Sequence, residues 1–253
     1  MSLDACADLV RRGDPDRFLA AMAAPPAARA RLFPLYAFNL EVARAPWVTA
    51  EPLIAQMRLQ WWRDALDEIA AGAPPRAHEV VAPLADVVAQ VRLPQAPFAA
   101  LIDARDWDIG RDPFPDPAAR NAYVAASGGG LMWLSALALG ADAGLEQAAR
   151  DVGFAAGMAQ FLLAVPALRA AGRQPLSEAD EVVAAAKAGL AALARARGTR
   201  FGPATPALRA GWRAGALLRG AQDDPRAVLD GRLVQSEFRR RGGLLLRAAL
   251  GRW

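Results

Sequence analysis

The chain has 253 residues, of which 54% are hydrophobic and 22% are charged, a composition that supports a sizeable core and excludes intrinsic disorder. Its net charge is +4 and its pI is near 10.1, but the cations are arginines dispersed between acids, with Lys187 as the lone lysine, so nucleic-acid binding is not indicated. A single cysteine, Cys6, excludes an internal disulfide, and together with the single histidine, His78, it leaves no set for zinc or for a Cys-His nucleophile pair. His78 follows two prolines and is expected to lie exposed on the surface.

The N-terminus does not resemble a signal peptide, because its acids precede its arginines and no apolar segment follows. The protein is therefore expected inside the cell. A helix over about residues 51–70 is predicted by the stripe of Leu53, Met57, Trp61 and Ala65 behind a proline at the first turn.

A second strong helix prediction begins at residues 177–180, where the sequence resembles a capping box, and ends at Gly198. Prolines and glycines divide the chain into about ten helices, and no run alternates with the period of a strand. No apolar run reaches the roughly 18 residues of a membrane span, so no transmembrane helix is expected. The sequence therefore predicts an all-α protein, with residues 1–253 forming a single helical-bundle domain.

Several short motifs follow one another in an order that resembles a known family. They are Phe18, Pro25, Arg29 and the run Tyr36-Ala37-Phe38; Trp61-Trp62; Leu101-Ile102 with Asp106; residues 123–140; and the segments 157–160 and 172–175. In this order they resemble the squalene/phytoene synthase family. The resemblance implies the helical isoprenoid synthase fold.

Active members of that family use two aspartate motifs to hold magnesium ions that grip a prenyl diphosphate, a task suited to hard oxygen ligands. In this chain the first motif is replaced by Ala43, Arg44 and Trp47, and the second by Ala167 and Ala171. We therefore expect no catalytic residue, no metal ligand and no cofactor. Mg²⁺ is expected only under the alternative that the protein is an enzyme.

Two segments narrow the resemblance to one branch of the family. Residues 37–43 read Ala-Phe-Asn-Leu-Glu-Val-Ala and residues 57–63 read Met-Arg-Leu-Gln-Trp-Trp-Arg. Both are similar to the branch called NADH dehydrogenase complex I assembly factor 6, whose members also lack the aspartates. The resemblance implies a non-catalytic protein that assists assembly of respiratory complex I, with a complex I subunit or assembly protein as its partner. It would be cytoplasmic, and peripheral on a bacterial inner membrane if its tail binds lipid. The alternative is a prenyltransferase that condenses farnesyl or geranylgeranyl diphosphate head-to-head at an atypical diphosphate site.

The same resemblance places the walls of a prenyl-lipid cavity at six largely apolar residues, although a set of this kind more often belongs to the plain hydrophobic core. The set is Tyr36, Phe38, Asn39, Met158, Gln160 and Phe161. Two weaker acidic clusters have the spacing of a metal site, but the same spacing is typical of solvated, ion-paired faces, which we favour. The clusters are Asp64, Asp67 and Glu68, and Asp103 with Asp106.

Two further features have competing interpretations. The triplet Gly128-Gly129-Gly130 could cradle a phosphate, but no Lys-Ser/Thr follows it, so close helix packing is favoured. The basic, leucine-rich tail from Gln235 fits an anionic membrane surface or a partner's groove, and equally an ordinary docked helix.

Overall fold

The computed structural model describes residues 3–253, and in this part of the chain all regular secondary structure is helical, with no strand. Its fourteen α-helices are α1 (Leu3–Gly13), α2 (Pro15–Met22), α3 (Pro26–Arg44), α4 (Pro52–Ala70), α5 (Val81–Val91), α6 (Ala96–Ala104), α7 (Pro117–Val124), α8 (Gly130–Ala138), α9 (Glu146–Ala170), α10 (Ala179–Ala196), α11 (Thr205–Leu208), α12 (Ala214–Asp223), α13 (Pro225–Leu229) and α14 (Glu237–Ala249). The all-α prediction is confirmed. A continuous cluster of buried hydrophobic side chains runs from Cys6 in α1 to Val228 in α13. The assignment of residues 1–253 to one domain remains a prediction.

Helix α4 confirms the predicted helix over residues 51–70, but the stripe that indicated it is only partly buried. Leu53 and Met57 are exposed, and the face that meets the core runs through Ala55, Leu59 and Trp62. Both stripes satisfy the helical period, so periodicity alone does not say which one faces the interior.

Helix α10 begins at the predicted capping box. The Glu181 carboxylate accepts hydrogen bonds from the backbone N–H groups of Ser177 at 2.8 Å and Glu178 at 2.9 Å. These bonds hold the pKa of Glu181 below its usual value. The helix ends before Gly198, whose φ of +83° suits a glycine stop.

The longest helix, α9, crosses the centre of the fold at a backbone contact that only glycine permits. A Cβ atom added to Gly153 would lie 2.5 Å from the carbonyl oxygen of Gly128, and one added to Gly128 would lie 2.7 Å from the carbonyl oxygen of Gly153. Gly128 sits in a short π-helical turn, Ala125–Gly129, that joins α7 to α8. Close helix packing at the glycine triplet is thus confirmed for its first member.

One helical stretch of the described chain, Ala143–Ala170, is long and apolar enough to cross a membrane by length and composition. No such stretch was expected, because Gln160 and Pro166 interrupt its longest apolar run. Within its most apolar window, 61% of the helix is buried inside the protein. The core helix of a globular fold also meets these criteria of length and composition.

His78 is half-buried, not exposed as expected. Its ring packs against those of Trp61 and Trp62, with centroids 5.3 and 5.2 Å away, and its Nδ1 accepts a hydrogen bond from the Val80 N–H. The two tryptophans cover the imidazole, a contact that spacing in the sequence does not reveal.

Candidate functional site

A cavity of about 420 Å³ opens between α3 and α9, and we take it as the candidate site. From α3 and the turn after it come Asn39, Leu40, Ala43 and Trp47, and from α9 come Gly157, Gln160, Phe161, Ala164 and Leu168. The remaining wall is formed by Gly13, Asp14, Arg17, Arg105, Trp107, Asp108, Tyr123, Val124, Ser127 and Gly128. The glycine contact between α9 and the π-helical turn brings the two sides of this wall together.

The positions expected for the first aspartate motif divide between the cavity and the solvent. Ala43 and Trp47 line the cavity, whereas Arg44 is exposed and its Nη1 lies 3.5 Å from the Glu41 carboxylate. A methyl group and an indole therefore stand where the resemblance expects metal-binding oxygens.

The second motif needs a correction. Ala167 and Ala171 are exposed and do not line the cavity. The face of α9 that meets the cavity runs through Gln160, Ala164 and Leu168, which are four residues apart and so share one side of a helix. The α9 wall carries no carboxylate.

Of the six predicted cavity-wall residues, three line the cavity and three do not. Asn39, Gln160 and Phe161 are in the wall. Phe38 packs edge-on against Trp62, with ring centroids 5.3 Å apart, and Met158 is fully buried, so both belong to the core. The period of a helix identifies a buried face but does not separate core from cavity.

Tyr36 lines a separate void of only about 10 Å³ beside α8. Its hydroxyl is buried without a hydrogen-bond partner, and burial raises its pKa to about 12.

The cavity wall contains two carboxylates, and each is paired with an arginine. The Asp14 carboxylate is 2.6 Å from Nη1 of Arg17, and it also caps α2 by accepting the Arg17 backbone N–H at 2.9 Å. The Asp108 carboxylate is 3.2 Å from Nη1 of Arg105. Neither acid is free to bind a cation without first losing its guanidinium partner.

Tyr123 completes the second pair. Its hydroxyl donates to Asp108 at 3.0 Å and accepts from Arg105 at 2.6 Å. Burial raises the pKa of Tyr123 above its ordinary value, and although burial also opposes the charge of Arg105, Tyr123 and Asp108 outweigh that effect and raise the pKa of Arg105. The triad is neutral overall and is held as a unit.

An aromatic and cationic stack lies beside the triad. The Arg173 guanidinium carbon is 4.5 Å from the Trp47 ring centroid and 5.5 Å from that of Trp107, and its Nη1 donates to the Trp107 carbonyl at 3.2 Å. Trp107 in turn stacks on Phe114, with centroids 3.9 Å apart. Burial lowers the pKa of Arg173, but the group stays cationic.

These residues do not fit a magnesium-binding diphosphate site. Magnesium requires oxygen ligands in near-octahedral order, whereas the α3 and α9 sides of the cavity supply apolar groups and the two amides of Asn39 and Gln160, and no carboxylate. Within residues 3–253 no group of three or more His, Cys, Asp or Glu side chains is placed to hold a metal ion.

The predicted acidic clusters lie outside the cavity, and four of their five acids are ion-paired. Glu68 accepts two hydrogen bonds from Arg76 at 2.8 Å, and the Asp64 carboxylate is 3.9 Å from the same guanidinium. Asp67 accepts from the Gln95 amide at 2.8 Å. Asp103 and Asp106 both pair with Arg63, at 2.8 and 3.3 Å.

Sequence reasoning did not identify Asp14, Arg17, Trp107 or Tyr123 as wall residues. Asp108 and Arg105 were recognisable as a charged pair three residues apart, but that spacing is more typical of a solvated helix face.

At one edge of the cavity the surface is apolar. Trp47 is 44% exposed, and Val48, Leu53, Ile54 and Met57 expose between 45% and 68% of their area. We call these five residues the α4 patch. Contiguous exposed apolar surface on a folded chain is typical of an interaction site.

Similarity to solved structures supports the fold. A dehydrosqualene synthase crystallised with a ligand superposes with a TM-score of 0.80 and 17% identity, over 98% of this chain and 95% of that one. Squalene synthase HpnC from Alicyclobacillus acidocaldarius gives a TM-score of 0.62 and 21% identity, over 98% and 92%. At these identities the likeness concerns the isoprenoid synthase fold.

Sequence relatives share the name of complex I assembly factor 6. The Bos taurus protein is 29% identical over 163 residues, 64% of this chain and 48% of the relative, and the Homo sapiens protein is 28% identical over the same shares. The Drosophila melanogaster homolog is 30% identical over 178 residues, 67% of this chain and 51% of the relative. The chain thus spans about half the length of the curated relatives it matches.

The family model described as squalene/phytoene synthase matches residues 10–251. With nearly its whole length matched, the chain belongs to the squalene/phytoene synthase family.

Proposed function

We propose that this chain is a non-catalytic squalene/phytoene synthase-like protein that assists assembly of respiratory complex I. The observation that carries the proposal is the cavity wall. Its α3 and α9 sides carry Ala43, Trp47, Ala164 and Leu168 and no acid, and the two acids present elsewhere in the wall, Asp14 and Asp108, are held by arginines.

The physical argument concerns the leaving group of the family's reaction. Loss of diphosphate from a prenyl chain places several negative charges in a low-dielectric pocket, and bound divalent cations normally stabilise them. To bind a cation here, Asp108 would have to give up both Arg105 and Tyr123, which would leave a buried guanidinium unpaired at a cost of several kcal/mol. We propose that no cofactor is used.

The α4 patch supports a role in protein association. Its last member, Met57, opens the segment 57–63 that is similar to the assembly-factor branch. Methionine and aliphatic side chains on an exposed helix face adapt to the surface of another protein. A complex I subunit or assembly protein is the partner that the relatives' name suggests.

The cavity itself has a place in the proposal. Its volume suits part of an apolar chain, and Phe161, Ala164 and Leu168 give it an apolar side. We propose that it retains a prenyl-type lipid without turnover, in a protein located in the cytoplasm and on the inner face of the membrane.

A second candidate is a prenyltransferase with an atypical diphosphate site, and the persistence of this cavity in the isoprenoid synthase fold favours it. Product formation from farnesyl or geranylgeranyl diphosphate with Mg²⁺ would establish this activity. We expect no product, and no rise in melting temperature that requires both Mg²⁺ and diphosphate.

The assembly role is tested in source cells that lack the gene. We expect the wild-type chain to restore complex I, measured on native gels and as NADH oxidation by membranes. Met57→Asp, which places a charge in the α4 patch, should fail to restore it. Gln56→Asp adds the same charge at a neighbouring exposed polar position and should succeed. Failure of the wild-type chain to restore complex I would contradict the assembly role. Equal rescue by both variants would contradict the α4 patch as its docking surface.

A further inference from the structure

A second and larger concavity, of about 1060 Å³, lies between the end of α10, α12 and α14, away from the cavity between α3 and α9. Its lining includes six arginines and no aspartate or glutamate. The arginines are Arg197, Arg200, Arg219, Arg239, Arg247 and Arg252, and we call the concavity the arginine groove. Apolar side chains, among them Leu193 and Trp253, form part of its floor.

The charge of the arginine groove is not neutralised by the rest of the protein. Ion pairs occur across the described chain, yet none involves any of the six arginines. Close by, Arg213 and Arg240 share the Asp16 carboxylate, so acids do reach this region but not the groove. Burial lowers the pKa of Arg247, and the nearby charge of Arg219 lowers it further.

One face of α14 is docked on the fold. Leu244 is buried, the Trp212 indole N–H donates to the Arg240 carbonyl at 3.0 Å, and Arg240 pairs with Asp16. These contacts hold α14 against the fold, as expected if the tail is an ordinary docked helix.

The other faces of α14 are unusually apolar for an exposed surface. Phe238 is 88% exposed and Leu245 is 71% exposed, with Leu246 and Leu250 also exposed. At 100° per residue, Leu246 and Leu250 fall beside Arg239 on the groove side, whereas Phe238 and Leu245 lie about 100° further round. The apolar residues thus extend from the rim of the arginine groove onto the outer surface.

We propose that the arginine groove and the exposed face of α14 form a docking surface for a bilayer that contains anionic phospholipid. The guanidinium groups bind the phosphodiester oxygens of the headgroups, for which the planar donors of arginine are well suited. Phe238 and the leucines enter the interfacial region, as in amphipathic helices that lie on membranes.

A bilayer fits these observations better than an acidic protein segment does. A segment bound in the arginine groove would neutralise the arginines but would leave Phe238 and Leu245 in water, because they lie outside the groove lining. An extended anionic surface covers both. The proposed function includes a location on the inner face of the membrane, and this inference names the surface that makes that contact. It does not depend on the assembly role.

The test uses the purified full chain and vesicle flotation with two compositions, pure phosphatidylcholine and phosphatidylcholine mixed with the anionic lipid phosphatidylglycerol. We expect binding only to the anionic vesicles, and weaker binding at high salt. The double variant Arg219→Gln/Arg247→Gln should bind about tenfold more weakly or worse, since each basic group near the surface contributes on the order of a fivefold change. It removes no ion pair and one side-chain hydrogen bond, from Arg247 to the Gly243 carbonyl, so its melting temperature should change little.

Two matched controls separate the docking surface from general charge and hydrophobicity. Arg232→Gln removes an exposed arginine that pairs with Asp224 and Asp230, and should bind like wild type. Leu245→Ser should weaken binding, and Leu53→Ser, on the α4 patch, should not. Equal binding to both vesicle types, no vesicle binding, or binding to polyglutamate that anionic vesicles do not displace would overturn the inference. None of these results bears on rescue of complex I.

Discussion

The guanidinium of Arg173 stacks on the indole of Trp47, with 4.5 Å between the guanidinium carbon and the ring centroid. Trp47 occupies a position where active relatives are expected to carry a metal-binding acid, and Arg173 follows the second expected motif along the chain. A cation–π contact thus joins the two regions that a magnesium-bound diphosphate would otherwise bridge.

Trp47→Leu tests this contact because it keeps apolar bulk and removes the ring. We expect a loss of about 0.5–1 kcal/mol in the free energy of unfolding, the typical value of a partly exposed cation–π pair. Urea unfolding measures it. In an Arg173→Gln background the same change should cost much less, and an equal cost in both backgrounds would show that the contact contributes nothing.

Asp108→Asn should be strongly destabilising because Asp108 is only 3% exposed and its Oδ2 accepts from both Arg105 and Tyr123. Removing one charge of a buried pair costs about 3 kcal/mol. Asp103→Asn, which breaks an exposed pair with Arg63, should cost less than about 1 kcal/mol. Similar losses in the free energy of unfolding for the two variants would show that the buried triad contributes no more to stability than an exposed ion pair.

The sequence was sufficient for the helical fold and for part of the cavity wall, but not for which side of each helix faces the cavity. Helix α4 has two stripes of apolar residues, and only its contacts with the core decide that Leu59 is buried while Leu53 is exposed. In α9 the exposed Ala167 and the wall residue Leu168 are adjacent and both apolar. Hydrophobic pattern does not distinguish solvent, cavity and core for small aliphatic residues.

The polar part of the site was missed for a different reason. Asp14 caps a helix and Asp108 follows an arginine at helical spacing, both ordinary features of an exposed surface. Their place in the wall depends on contacts between distant segments, such as that of Tyr123 with Asp108, and on the glycine contact that lets α9 approach Gly128. The arginine groove likewise unites arginines from α12, from α14 and from the segments that follow α10 and α14.

Gly153→Ala should disrupt the close backbone contact between α9 and the π-helical turn. Its Cβ would lie 2.5 Å from both the Gly128 carbonyl oxygen and the Met132 Cβ, so the backbones must separate, at a cost of about 2–3 kcal/mol. Gly242→Ala is the matched control, since that helical glycine has nothing within 4 Å and should gain about 0.5–1 kcal/mol from better helix propensity. Thermal and urea unfolding compare the two, and a stable Gly153→Ala protein would contradict the packing described for α9.

Cys6 should make stability depend on pH in the alkaline range. Burial, with a smaller contribution from Glu79, raises the pKa of its thiol from 9.0 to about 11. The folded state therefore favours the protonated thiol, and this contribution is complete below pH 9 and is lost as the pH rises toward 11, by about 2 kcal/mol at most. Comparing urea unfolding of wild type and Cys6→Ala at intervals from pH 8 to 11 isolates the effect, because Tyr36 and Tyr123 titrate in both proteins. Parallel pH profiles would show that the thiol is not protected.

Restoring acids at the expected motif positions should not restore prenyl condensation. The variant carries Ala43→Asp, Trp47→Asp, Ala167→Asp and Ala171→Asp, and the assay is product formation from labelled geranylgeranyl diphosphate with Mg²⁺. A second variant keeps Ala43→Asp and Trp47→Asp and leaves positions 167 and 171 unchanged. Its other two substitutions are Ala164→Asp and Leu168→Asp, at residues that line the cavity. We expect both to be inactive, and folding is checked in parallel by circular dichroism and thermal unfolding.

The reasons differ between the two sides of the cavity. A carboxylate introduced at position 47 would face Arg173, and an ion pair with that guanidinium would compete directly with a metal ion. Acids at the exposed positions 167 and 171 would stay hydrated outside the lining, whereas acids at 164 and 168 would meet apolar neighbours that raise their pKa values and favour the neutral form. Metal ligands also need neighbouring groups that orient them, and Asn39 and Gln160 are the only wall amides near these positions. Adding Arg173→Gln to the first variant removes the competing cation, so turnover that appears only then would locate the block at Arg173. Turnover by the wild-type chain would instead overturn the non-catalytic assignment.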